Sequence, residues 1–138
     1  VPADMLDTYK GEMDEVVYRR CRYVVDENQR LLDACAALEK GDYVTFGQKM
    51  NGSHEGLSRQ YEVSCDELDF LADIGHRTDG VLGARMMGGG FGGCTINLVR
   101  AEAYDGYLAE ATDRFAHRFG HAPRVIEVNI SQGARRIG

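Results

Sequence analysis

The stretch Val81-Leu82-Gly83-Ala84-Arg85-Met86-Met87-Gly88-Gly89-Gly90-Phe91-Gly92-Gly93-Cys94-Thr95-Ile96-Asn97-Leu98-Val99 decides how this chain folds. Both ends read as strands. In the second, Cys94, Ile96 and Leu98 alternate with Thr95, Asn97 and Val99, the period-two pattern of a half-buried strand. A connection this short pairs the two strands antiparallel, as a hairpin. The six residues between them contain five glycines. Formally, Gly88, Gly90 and Gly93 satisfy G-x-G-x-x-G, but that pattern cradles a pyrophosphate only between a strand and a helix. Here a strand follows, and no Gly-Lys-Ser/Thr completes a Walker loop. A two-residue hairpin turn uses one or two glycines, and five carry a large entropic cost on ordering. The surplus points to backbone in unusual dihedrals, or to a close approach by another domain's loop or by phosphates held on backbone amides. The plain alternative is a flexible tip that serves only as a turn.

Working outward, Asp79-Gly80 marks a turn, and Ser64 with Glu67 forms an S-x-x-E capping box. The box predicts a helix starting near Cys65, with Leu68, Leu71 and Ile74 on its apolar face. Farther upstream a long helix is expected from about Glu12 to Glu39, with Met13, Val17, Cys21, Val24, Leu31, Cys35 and Leu38 on one face. Gly41 can take the left-handed conformation that ends it, and Asp42 can accept the free amides of the next helix. That helix, Tyr43 to about Gln60, turns Tyr43, Phe46, Met50 and Leu57 inward. Its Gly47, Gly52 and Gly56 each cost up to about 1 kcal/mol relative to alanine, which close packing against a neighbour would explain. Downstream, Tyr104, Leu108, Ala111, Phe115 and Phe119 share a helix face that Gly120 and Pro123 terminate. A last strand is expected to align Ile126, Val128 and Ile130. No repeat, low-complexity tract or linker interrupts the sequence, so one α+β domain over residues 1–138 is expected, with helices on one face of a small antiparallel sheet.

Composition narrows the function. The chain has 138 residues, 43% of them hydrophobic, and a formal charge of −6. That acidity excludes a general nucleic-acid binder, which needs a basic face. No apolar run approaches the roughly 20 residues that cross a bilayer, so no membrane association is expected. The start Val-Pro-Ala-Asp has neither an initiator methionine nor a signal-like core and reads as excised from something longer. Cys21, Cys35, Cys65 and Cys94 form no C-x-x-C pair, and three lie on expected apolar faces. Buried thiols in a cytoplasmic protein are therefore expected. The N-x-S triplets at Asn51 and Asn129 are then chance matches.

Of the titratable residues, Arg85 can reach phosphate oxygens from the strand before the loop, or serve as a salt-bridged strand residue. His54 beside Glu55 has no second ligand at helical spacing and reads as a packed or capping histidine. His76, His117 and His121 share no ligand spacing and read as surface residues, so no metal site is expected. Tyr61 should pack at a helix end.

The segment Gly83-Ala84-Arg85-Met86-Met87-Gly88-Gly89-Gly90-Phe91-Gly92-Gly93-Cys94 resembles the third conserved motif of the GHMP kinases, in the form found in the galactokinase branch. Met50-Asn51-Gly52-Ser53-His54 and Tyr61-Glu62-Val63-Ser64-Cys65-Asp66-Glu67-Leu68-Asp69 are similar to two further galactokinase stretches, in the same order. The resemblance spans roughly residues 20–130 and covers only the second of that family's two domains. It implies the GHMP-kinase C-terminal (ferredoxin-like) fold. It also implies a parent enzyme that transfers the γ-phosphoryl of ATP to the anomeric hydroxyl of galactose. ATP and magnesium would be held mainly by the N-terminal domain, which would carry the catalytic aspartate, leaving no catalytic residue here. Gly88, Gly89, Gly90, Phe91, Gly92 and Gly93 would line the cleft beside the nucleotide. Met87 stands where the family usually has threonine, and Leu57-Ser58-Arg59-Gln60 replaces the commoner L-R-D-D. Another monosaccharide, a non-catalytic sugar- and nucleotide-dependent partner for regulators, and a stand-alone interaction domain are the alternatives.

Overall fold

The computed structural model describes residues 2–128 and Gly133. Five α-helices and one hairpin follow in order: α1 Ala3–Thr8, α2 Glu15–Glu39, α3 Tyr43–Arg59, α4 Asp66–Arg77, β1 Val81–Met87, β2 Cys94–Val99 and α5 Tyr104–Phe119. Single 3-10 turns sit at Lys10–Glu12 and Ala101–Ala103.

Local chemistry sets the ends. α2 starts at Glu15 rather than Glu12 because Asp14 accepts from the amides of Val16 and Val17, and Lys10–Glu12 form a separate turn. Gly41 takes φ +69° and Asp42 accepts from the Thr45 amide at 3.0 Å, as the sequence predicts. The expected Ser64 cap is not formed. Cys65 is the residue before α4, and the Ser64 hydroxyl is buried without a partner. Glu67 instead bonds its own amide and the Cys65 thiol, which hold its carboxyl below the usual range.

The strands pair antiparallel, from Met87 opposite Cys94 to Val81 opposite Val99, with an irregularity between Val81 and Gly83. α4 covers one sheet face so closely that a Cβ on Gly75 would lie 2.7 Å from that of Ala84. Ile74, Tyr107 and Ala111 form the core there, with Phe70, Val81 and Val99 packed around them. The inner side of β2 is therefore the one bearing Asn97 and Val99. Ile96, expected inside with Cys94 and Leu98, is 41% exposed.

α2 docks on α3 through a face the apolar pattern did not predict. Tyr23, Glu27, Arg30 and Ala37 point toward α3, where Gly52 and Gly56 admit the Arg30 side chain and the Tyr23 ring. Glu27 there accepts from Ser53 and pairs with Arg30. The apolar stripe Val17, Val24, Leu31, Cys35 and Leu38 lies on another side and is exposed, Leu31 by 62%. Periodicity marks an apolar face but not the face the neighbour chooses, and here small residues and polar partners on α3 choose it. The cysteines depart from expectation too: Cys35, on the undocked side of α2, is exposed and the others are half-buried. Tyr43 and Tyr104 are exposed too, each at the first position of its helix.

The expected last strand is absent over residues 122–128, which carry no regular structure and leave Ile126 and Val128 exposed. Among the described residues nothing pairs with that segment, and a strand exists only through its ladder. Ile130 lies outside the described residues. No helix among the described residues is long and apolar enough to cross a membrane.

Candidate functional site

The glycine loop joins β1 to β2 and accounts for its composition. Gly88, Gly90, Gly92 and Gly93 all take φ between +84° and +131°, and Phe91 takes +59°. Side chains rarely tolerate that region, so glycine is the residue for four of these five positions. Gly90 has a second reason. A Cβ there would sit 2.0 Å from the Val63 carbonyl, and that carbonyl accepts from the Phe91 amide at 2.7 Å. The loop is thus pinned at its midpoint to the α3–α4 connection. Gly88, Gly89 and Gly92 have open space around them, and the Phe91 ring is 78% exposed.

Arg85 is one-third exposed in its side chain. Its Nε donates to the Met86 carbonyl at 3.0 Å, and its Nη1 lies 3.9 Å from Glu27. The second draws it toward α2.

The side of β1 away from β2 carries a polar cluster of which the sequence showed only a packed or capping histidine. Asn51 Oδ1 accepts from the Ala84 amide at 2.8 Å, and His54 Nδ1 accepts from the Met86 amide at 3.2 Å. His76 Nε2 lies 2.8 Å from the Ala84 carbonyl and must carry its proton to bond there. His54 is 4% exposed, and burial pushes its pKa down. Its Nε2 lies 3.3 Å from Asp69 Oδ1, too poorly aligned for a hydrogen bond, while Asp69 Oδ2 accepts from Ser58. The missed signal is a spacing: Gly47, Asn51 and His54 stand at i, i+4 and i+7 on one face of α3.

A cavity of about 850 Å³ opens on the other side of the loop, lined by Leu68, Phe91, Asn97, Tyr107 and Phe115 among others. Asn97 Oδ1 is buried there without a partner. Burial pushes the Tyr107 hydroxyl up to about 12.

Residues 34–116 match the family model for the C-terminal domain of GHMP kinases. The chain belongs to the GHMP kinase family. Within that family it is 41% identical over 125 residues to a galactokinase of Clostridium beijerinckii, covering 91% of this chain and 32% of that protein. A galactokinase of Roseiflexus sp. is 36% identical over 137 residues, covering 99% of this chain and 35% of the relative. The chain therefore spans about a third of the length of these GHMP kinases. A crystal structure of Lactococcus lactis galactokinase complexed with galactose superposes with a TM-score of 0.83 at 35% identity, over 88% of this chain and 32% of that one. A crystal structure of L. major mevalonate kinase in complex with R-mevalonate gives a TM-score of 0.60 at 28% identity, over 80% and 32% respectively. The α+β fold read from the hairpin is that of the GHMP kinase C-terminal domain.

Proposed function

We propose that this chain is the C-terminal part of an ATP-dependent galactokinase, which moves the γ-phosphoryl of ATP to the anomeric hydroxyl of galactose. One observation carries the reading: relatives called galactokinase match nearly the whole chain, glycine loop included. Phosphoryl transfer asks a protein mainly to position its reactants and neutralise charge, work that main-chain amides perform without an ionisable side chain. In this reading Gly88–Gly93 wall one side of the cleft against the phosphates, and Phe91 faces the other domain. Arg85 can serve a phosphate oxygen only after leaving Glu27, so its resting part is to hold the end of β1.

Magnesium is assigned no ligand in this part of the protein. Among the described residues no three histidine, cysteine or carboxylate side chains cluster as ligands. No step is assigned to a metal here, and an ion accompanying ATP would be held by the rest of the enzyme in the cytoplasm.

The test is sugar-dependent ADP release by the full-length protein over a panel of monosaccharides, beside the 138-residue chain alone. Turnover on galactose by the former and none by the latter is the expected result. Preference for another sugar keeps the kinase and changes its substrate. No turnover on any sugar by the full-length protein refutes the enzyme reading in favour of a sugar- or nucleotide-dependent binding protein.

A further inference from the structure

The residues of β1 divide between two edges. Gly83, Arg85 and Met87 alternate with Leu82, Ala84 and Met86, and the second set turns its main-chain groups away from β2. A buried edge of this kind must find partners for its amides and carbonyls. In this fold α3 and α4 supply them as side chains. Ala84 gives its amide to Asn51 and takes a proton from His76, and Met86 gives its amide to His54. At Leu82 the carbonyl meets Gly47, where a Cβ would come within 2.0 Å. From Gly47 to His54 a helix advances about 10 Å, and from Leu82 to Met86 a strand advances about 13 Å, so one helix face runs along the strand edge.

We infer that Asn51, His54 and His76 are positioning residues for the glycine loop, substituting for the strand that β1 lacks on this side and fixing where Gly88 leaves it. Met86 is two residues from Gly88, so a loosened Met86 amide moves the start of the loop while the Val63 anchor still holds Phe91. The bond at Met86 requires a bare Nδ1, which places the imidazole proton on Nε2, toward Asp69. Asp69 is held in turn by Ser58. Asp69 Oδ1 makes no hydrogen bond to that proton, so the chain of positioning runs His54, Met86, loop. None of these side chains needs to touch a reactant.

The kinetic half of the test rests on the reading under Proposed function, and the exchange half does not. In the full-length protein, His54→Asn puts an amide oxygen near the place of Nδ1, while His54→Gln puts its amide near the place of Nε2. The glutamine variant leaves the buried Met86 amide without an acceptor. We expect amide exchange over residues 84–93 to quicken about tenfold or more in the glutamine variant and to stay near wild type in the asparagine variant. The glutamine variant should also raise KM for ATP and lower kcat, whereas a mere loss of folded protein lowers kcat alone. Should neither variant fold, Asn51→Asp, which keeps an acceptor for Ala84, and Asn51→Ala, which does not, give the same comparison. Equal exchange within the pair overturns the inference. If exchange separates the pair but wild type phosphorylates no sugar, the positioning stands and the assignment of activity fails.

Discussion

Replacing Gly47 by alanine sets helix propensity against the seating of α3 on β1. The methyl group would arrive 2.0 Å from the Leu82 carbonyl oxygen and 2.4 Å from its carbon, both main-chain atoms that cannot swing aside. Restoring ordinary contact requires the helix and strand to separate by more than about 1 Å. That movement carries the Asn51–Ala84 and His54–Met86 hydrogen bonds, now 2.8 and 3.2 Å, beyond bonding range. Each leaves a buried amide unsatisfied at about 1–3 kcal/mol, against about 1 kcal/mol returned by the better helix former. The net loss should be about 1–5 kcal/mol, roughly 10 °C in melting temperature near the middle of that range for a domain of this size. Urea unfolding followed by circular dichroism measures it. Gly52→Ala is the control, because its methyl meets only the flexible Arg30 side chain at 3.2 Å and should be nearly neutral. An alanine at position 47 that leaves the urea midpoint unchanged or raises it would refute the account of α3 as seated directly on the strand.

Three further outcomes are expected. Gly90→Ala should detach the loop from Val63, lowering kcat/KM for ATP in the full-length enzyme by about tenfold or more and destabilising the fold by about 1–3 kcal/mol; unchanged kinetics in the folded variant would remove the loop from the site. His54 is faced by Asp69 and His76 from α4, Glu55 from α3 and Arg85 from β1; burial, aided by His76 and Arg85, outweighs Asp69 and Glu55 and lowers its pKa below 6.5. Its contribution to stability is therefore complete above about pH 6.5 and is lost as pH falls through the lowered value, and His54→Asn should flatten that slope in urea midpoints measured between about pH 7.5 and 5. Cys35 should react first with an aromatic disulfide reagent, since the other three thiols are half-buried, and Cys35→Ser should abolish the fast phase.

How far the sequence could be read depended on whether a feature was local. The hairpin, the left-handed Gly41 and Gly120 and the Asp42 cap follow from dihedral preferences and nearest-neighbour hydrogen bonds, and all were legible. So was the need for a special backbone at Gly88–Gly93. The docking face of α2 was not, because two stripes of the same period lie along that helix and the choice between them rests with Ser53, Gly52 and Gly56 on α3. The pinning of Phe91 by Val63 joins residues 28 positions apart through main-chain atoms alone, which leave no mark on residue type. His54 was read as packed, but its partner is the amide of Met86, and only tertiary structure names that partner.

The side chains that clasp β1 also bear on how the protein avoids sticking to itself. An unpaired strand edge is a template for other chains, and proteins blunt such edges with cover or charge. Asn51, His54 and His76 occupy the hydrogen-bonding groups of Ala84 and Met86, so that edge is closed to strand addition. Among the described residues the opposite edge, along β2, has no strand beside it. Aggregation that begins by edge-to-edge pairing is therefore barred on the β1 side, and among the described residues the side of Thr95 and Asn97 has no such bar.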